Sequence, residues 1–211
     1  MKERPILFSG PMVRAILEGR KTQTRRVAKE FAGRDDLDAI LGRFPNQRGC
    51  PHGEPGDRLW VREAFRLTSD FDGDNPTRVG ERCLDAGYRA PWAPVRYEVD
   101  GAERDWRWVG TPPGHEVTAG RARASMHMPR WASRITLEIT RVRAERLQTI
   151  SWDDAIAEGI KDPRRAAVRI DPIDGTVAQF RQLWDSLNAS RGHGWDANPW
   201  VWVVEFRKVE S

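Results

Sequence analysis

The chain has 211 residues, with 35 Lys and Arg against 31 Asp and Glu, a formal net charge of +4 and an isoelectric point near 9.4. That length makes one domain, or one core carrying an insertion, and the mild basicity favours nucleotides or nucleic acid as partners without excluding an ordinary solvated surface. The two cysteines, Cys50 and Cys83, exclude a disulfide framework, and the lack of an N-terminal apolar run long enough for a leader or a span predicts a cytoplasmic protein with no membrane partner.

Residues 4–8, RPILF, read as a first strand. It delivers the chain to a short helix that starts at Pro11, where a first turn tolerates proline, and that presents Met12, Ala15 and Ile16 on one face. Gly19 predicts a left-handed cap. Beyond it Arg20, Lys21, Arg25 and Arg26 surround Thr22 and Thr24, four cations in seven residues, a place that attracts an anion or an electron-rich ring. Two geometries are open. In an extended chain Lys21, Gln23 and Arg25 share one face while Thr22, Thr24 and Arg26 share the other, so Lys21 and Thr24 are opposed. In a tight or helical turn, residues three apart meet and Lys21 reaches the Thr24 hydroxyl. Only the second makes a nucleophile with an adjacent base.

Residues 30–56 show little periodicity and predict loop, with one helical turn around Asp35 to Leu41. Gly56 and Asp57 then turn the chain into the strand RLWVREAF, residues 58–65, whose alternation puts Leu59, Val61, Glu63 and Phe65 on one face and Arg58, Trp60, Arg62 and Ala64 on the other. A carboxylate in the apolar set needs either an arginine partner or a place at a barrel mouth where it meets substrate. Between 66 and 128 only VRYEV at 95–99 and WRWV at 106–109 read as strands. DFDGDNPTRVGE imitates a calcium loop through Asp70, Asp72, Asp74 and Glu81, but Asn75 stands where the sharp turn needs glycine. Cys50, His52, Cys83, His115 and His127 reach no zinc spacing either, so no metal is expected.

The longest strand, RITLEITRVRAERL at 134–147, buries Ile135, Leu137 and Ile139. Val142 then falls out of step, which predicts a bulge. Ser151 and Asp154 form the start of a capping box for the helix WDDAIAE, which ends at Gly159 and puts Glu158 in its last turn. There the helix dipole disfavours a carboxylate. A second helix, about 177–187, has Val177, Phe180, Leu183, Trp184 and Leu187 at core-facing spacing. PWVWVVEFRKV closes the chain as a strand apolar on both faces, as a central strand should be.

The segment ILEGRKTQTRR, in the longer opening RPILFSGPMVRAILEGRKTQTRR and together with GDRLWVRE and HMPRWASRITLEIT, resembles the ASCH domain family, in its bacteriophage and prophage branch. The resemblance implies an α+β fold, a PUA-like small mixed β-barrel with flanking helices, forming a single domain over 1–211 with a long insertion at about 66–133. Within the family, the bacterial N4-acetylcytidine amidohydrolases use a lysine and a threonine three residues apart and a glutamate on a later helix. The match implies catalytic Lys21 and Thr24, with Arg26 in the place of a basic residue that follows them, and LQTISWDDAIAEGI, similar to the segment carrying the family glutamate, implies catalytic Glu158. It implies no metal and no cofactor.

Amide hydrolysis needs a nucleophile, a base, a donor for the oxyanion and an acid for the leaving amine. Thr24 can be the nucleophile, and two assignments remain open. Either Lys21 deprotonates Thr24 and a protonated Glu158 holds the cytosine ring and protonates its amine, or Glu158 is the base, acting on Thr24 or on a water, and a cationic Lys21 stabilises the oxyanion. A cytosine ring also needs a flat slot, for which Trp60, Trp131 and Arg26 are candidates by stacking, with Glu63 as a further substrate contact. The competing expectation is an RNA-binding or RNA-cleaving PUA-like module, which the basic isoelectric point and the arginines of 121–134 also suit. No obligate protein partner is evident.

Overall fold

The structure, a computed structural model, describes residues 1–34, 49–101, 118–162 and 172–209. The expected turn at Asp35 to Leu41 and the strand at 106–109 lie outside them. The chain divides into two compact units, one built from residues 1–2, 15–58 and 137–211, the other from 3–14 and 59–136.

The first unit is organised on three antiparallel strands in the order β6-β7-β2, where β2 is Gln23–Val27, β6 is Thr136–Arg146 and β7 is Trp200–Lys208. The register of β6 on β7 shifts between Ile139 and Arg141, which is the bulge that Val142 predicts. By adding one residue there, the strand keeps both Ile139 and Val142 buried. Strand β7 is central, and its residues from Trp200 to Val204 are all buried. On one side Val201 and Val203 pack with Leu147, Ile150, Ala155, Phe180 and Trp184. These come from the helices α3, Trp152–Ala157, and α4, Pro172–Asn188, and from the turn before α3. On the other side the Trp202 ring centroid lies 5.3 Å from that of Phe31, and its indole N–H donates to Glu30. Leu187, expected in the core, is 43% exposed, because it sits in the last turn of α4 beyond the packed stretch that Trp184 ends.

The second unit holds β1, Glu3–Leu7, beside β3, Arg58–Arg62, and an antiparallel ribbon of β4, Phe65–Arg66, with β5, Arg96–Tyr97. The predicted strand 58–65 is thus interrupted at Glu63 and Ala64, and the expected strand 95–99 gives way after Tyr97 to a short turn of 3-10 helix. A helix the sequence did not announce, α2 at Pro76–Asp85, starts inside the calcium-like segment. Its signals are local. Pro76 occupies a first-turn position, and the Asn75 side chain accepts from the Thr77 N–H at 2.9 Å. The carboxylates of the apparent loop serve the protein itself, Asp72 accepting from the Arg121 N–H and Asp74 pairing with Arg82. Gly80 lets α2 lie against Trp131, since a Cβ there would stand 2.6 Å from the indole nitrogen. The core of the unit is Phe65, Leu67, Val79, Ala93, Met128 and Ala132.

The protein is α+β, as expected, but neither unit closes its strands into a barrel among the described residues. In the first unit the closure is replaced by α3 and α4, which cover one face of the sheet and leave β2 as the end of the strand order. Among the described residues no helix is long and apolar enough to cross a membrane.

Candidate active site

The site grows out of how the helix α1, Gly10–Leu17, ends. Gly19 takes a left-handed conformation, φ 72°, and the backbone N–H groups of Arg20 and Lys21 fold back onto the Ala15 carbonyl at 2.8 and 3.0 Å. The next residue is pinned on both sides: Thr22 N–H donates to the Ala157 carbonyl of α3, and the Thr22 carbonyl accepts from Phe206 of β7, each at 2.8 Å. Lys21 is thereby delivered to the end of α3. Glu158 caps that end, its N–H donating to Asp154 at 2.8 Å. Gly159 follows at φ 100°, where a Cβ would come within 3.0 Å of the Ala15 Cβ and 3.2 Å of the Lys21 Cβ. The close approach of the two segments therefore depends on that glycine.

Lys21 Nζ donates to the Glu158 carbonyl at 2.7 Å and to its Oε2 at 2.8 Å. The other carboxylate oxygen accepts from Arg25 at 3.2 Å. Arg25 also pairs with Glu145 at 2.6 Å and Asp154 at 3.2 Å, Gln23 donates to Asp154, and Arg143 links Glu145, Asp154 and Glu205. Lys21 and Arg25 have no side-chain exposure, and Glu158 has 5%. Burial holds the Lys21 amine below its ordinary value of 10.5. Glu158 pulls the other way, and Arg26 and Arg25 add to the lowering as like charges. Arg26 is lowered too, by burial, against the attraction of Glu158.

Strand β2 is extended from Gln23 onward. Gln23 and Arg25 share a face and meet at Asp154, whereas alternation places Thr24 and Arg26 on the opposite face. Thr24 is buried and stands opposite Val204. Lys21 precedes the strand, so its direction is set by the turn after Gly19 and not by alternation. The structure thus joins Lys21 to Glu158 and takes the extended of the two expected geometries from Gln23 onward, with Thr24 and Arg26 on the strand face opposite Gln23 and Arg25.

The other candidate residues belong to the second unit and have partners there. Glu63 forms a two-pronged pair with Arg134, both contacts 3.0 Å. Trp60 carries the Arg62 guanidinium 4.6 Å above its ring. Trp131 donates its indole N–H to the Pro76 carbonyl at 3.2 Å. Reading the sequence missed Arg25 as the bridge to Glu158, although its shared face with Lys21 and Gln23 was visible. The sequence marks Asp154 as a cap alone, and nothing in the pattern of β6 marks Glu145 and Arg143.

One solved structure similar to this chain is an ASCH domain. It comes from Lactobacillus crispatus JV V101, with 11% identity and a TM-score of 0.43 over 98% of this chain and 79% of that one. No family model matches the chain, and no curated protein matches it.

Proposed function

We propose that the protein is a metal-independent amidohydrolase that removes acyl groups from the exocyclic N4 of cytidine-type nucleosides. The observation that carries this is the 2.8 Å contact of Lys21 Nζ with Glu158 Oε2, out of solvent, with Arg25 on the other oxygen. Sites that shift protons bury titratable groups against each other in this way. The lysine and glutamate so joined are those that the resemblance of ILEGRKTQTRR and LQTISWDDAIAEGI to the ASCH amidohydrolases singles out.

Of the two assignments left open by the sequence, the contacts favour the second. Both Glu158 oxygens accept hydrogen bonds from cationic donors, as a carboxylate is held and a carboxylic acid is not. Because alternation sets Thr24 on the other face of β2 from Arg25, the proton of its hydroxyl passes to Glu158 through a water as the Thr24 oxygen attacks the acyl carbon, and Lys21 donates to the oxyanion. The C–N bond breaks as Glu158 returns that proton to N4, releasing cytidine and leaving the acyl group on Thr24 as an ester. Glu158 then takes a proton from a water that attacks the ester and returns it to the Thr24 oxygen as that C–O bond breaks, giving the free acid and restoring both residues. Arg26, on the Thr24 face of β2, is the substrate contact offered by this unit.

The test is to incubate the protein with N4-acetylcytidine, with and without chelator, and follow cytidine release for the wild type and for Lys21→Ala, Thr24→Ala and Glu158→Gln. Release that survives chelation and is lost in all three variants supports the reading. Release retained in Thr24→Ala moves the nucleophile to water. An inactive wild type that instead shifts RNA in a salt-sensitive manner replaces the enzyme with a binding module.

A further inference from the structure

A cleft of about 570 Å³ opens in the second unit between the start of α2 and the segment 121–127, lined among others by Asp74, Asn75, Arg121, Arg123 and His127. Its size is that of a nucleotide site, not of a surface dimple. Its charge is what distinguishes it. Arg123 is only 6% exposed, and its guanidinium is held by two neutral acceptors, the carbonyls of Phe71 at 2.6 Å and Asp74 at 3.2 Å. The Arg123 Nε–H is buried with no partner. A buried guanidinium hydrogen-bonded only to carbonyls has no ion pair of its own, and an unpaired buried donor is costly.

Asp72 and Asp74 act favourably on that charge, but burial and the like charge of Arg121 outweigh them. Arg121 makes no salt bridge among the described residues, and its like charge pushes on Arg123. The carboxylate in the lining, Asp74, is paired with Arg82, and that of Asp72 accepts the Arg121 backbone N–H. The positive end of α2, ten residues long, faces the same place, since Asn75 and Pro76 line the cleft. His127, exposed on the rim, adds a ring nitrogen that can donate.

We propose that this cleft binds a phosphate group, with Arg121 as its cationic contact, His127 as a further donor and the fixed charge of Arg123 behind them. Forked guanidinium groups match phosphate oxygens, and the volume admits the sugar and base of a nucleotide beyond the phosphate. The proposal stands apart from the amidohydrolase reading, which uses residues of the first unit only.

The full chain is titrated at low salt with four probes: inorganic phosphate, cytidine 5′-monophosphate, a fluorescein-labelled short oligocytidylate, and cytidine as the phosphate-free control. Phosphate-bearing probes are expected to bind and cytidine is not. Arg121→Ala is expected to weaken binding about tenfold and His127→Ala about threefold. Both side chains are exposed, so a thermal melt should show unchanged folding. Equal affinity for mononucleotide and oligomer assigns the cleft to a nucleotide. A much tighter oligomer, with a salt slope that Arg121→Ala reduces by about 0.7, assigns it to an RNA strand. Absence of binding by every phosphate-bearing probe, or binding unaltered in both variants, overturns the proposal.

Discussion

Both units bury carboxylates against arginine, and the two clusters are built to opposite ends. In the second unit Arg134 gives Nε and Nη2 to the two oxygens of Glu63 and Nη1 and Nη2 to those of Asp100, and its guanidinium lies 3.8 Å over the Tyr97 ring. Burial disfavours the Arg134 charge, but Glu63 and Asp100 outweigh it and hold the group above its ordinary value. At Tyr97, by contrast, burial wins and pushes the phenol up to about 12. Two acids around one base lock the cation. In the first unit the ratio is reversed at the centre: Lys21, Arg25 and Arg26 act on Glu158, and Lys21 falls below its ordinary value despite the contact. Burial works against the Lys21 charge, and the Glu158 carboxylate is what opposes that loss. The same residue types therefore make a clamp in one place and a candidate for proton transfer in the other.

The largest effect expected from this contrast is kinetic. Glu158→Gln keeps the shape of the side chain and removes the base that the proposed mechanism requires, so kcat for N4-acetylcytidine should fall about a thousandfold, equivalent to roughly 4 kcal/mol. The pH profile separates the roles. If Lys21 must be charged to hold the oxyanion, kcat falls on the alkaline side at a pH below 10.5, because its value is lowered. A rise of kcat through that range would make neutral Lys21 the base instead.

Next in size is the clamp. Arg134→Ala leaves Glu63 and Asp100 without their shared partner and should cost about 3 kcal/mol in urea unfolding, with kcat of the folded protein unchanged. The reverse outcome, lost turnover at unchanged stability, would return Glu63 to the substrate contacts that the sequence also allowed.

What the sequence carried was what is local. The left-handed stop at Gly19, the capping box at Ser151, the out-of-step Val142 and the two-sided burial of β7 each depend on a few neighbouring residues, and each is found. The partners of Glu158 were half legible. Lys21 came from the family pattern, while Arg25, at the other end of the same carboxylate, depends on how β2 sits against α3, which no local spacing encodes. Helix α2 stayed hidden because its apolar stripe is little more than Val79, with Gly80 beside it for the approach of Trp131. The open strand arrangement is likewise a property of packing.

A smaller effect follows from Asp154. Burial alone would raise it, but Arg25 first, then hydrogen bonds from Gln23 and Ser151, hold it down to about 2 from 3.8. Its folded value is below its unfolded one, so on acidification the unfolded chain binds the proton first. The stabilisation is complete above about pH 4 and disappears as the pH falls toward 2. It amounts to about 2 kcal/mol. In Asp154→Asn the acid limb between those values should flatten, and an unchanged limb would show that Arg25 is satisfied by Glu145 and Glu158 without it.

The smallest effect tests whether the cluster or the helix positions the base. Helix α3 has six residues, too few to persist on propensity alone. Ser151 Oγ accepts from the Asp154 N–H at 3.1 Å, and Asp154 returns a contact to the Ser151 N–H at 3.2 Å. Ser151→Ala should cost about 1 kcal/mol of stability, with Ser151→Thr restoring it. The same Asp154 holds Gln23, Arg25 and Arg143, so the cap at one end of the helix is tied to the charges that grip Glu158 at the other. If the cap positions the base, Ser151→Ala lowers kcat a few-fold at constant KM. If turnover stays at the wild-type rate while the melting point drops, Lys21 and Arg25 fix Glu158 by themselves, and the helix serves only to bring it within their reach.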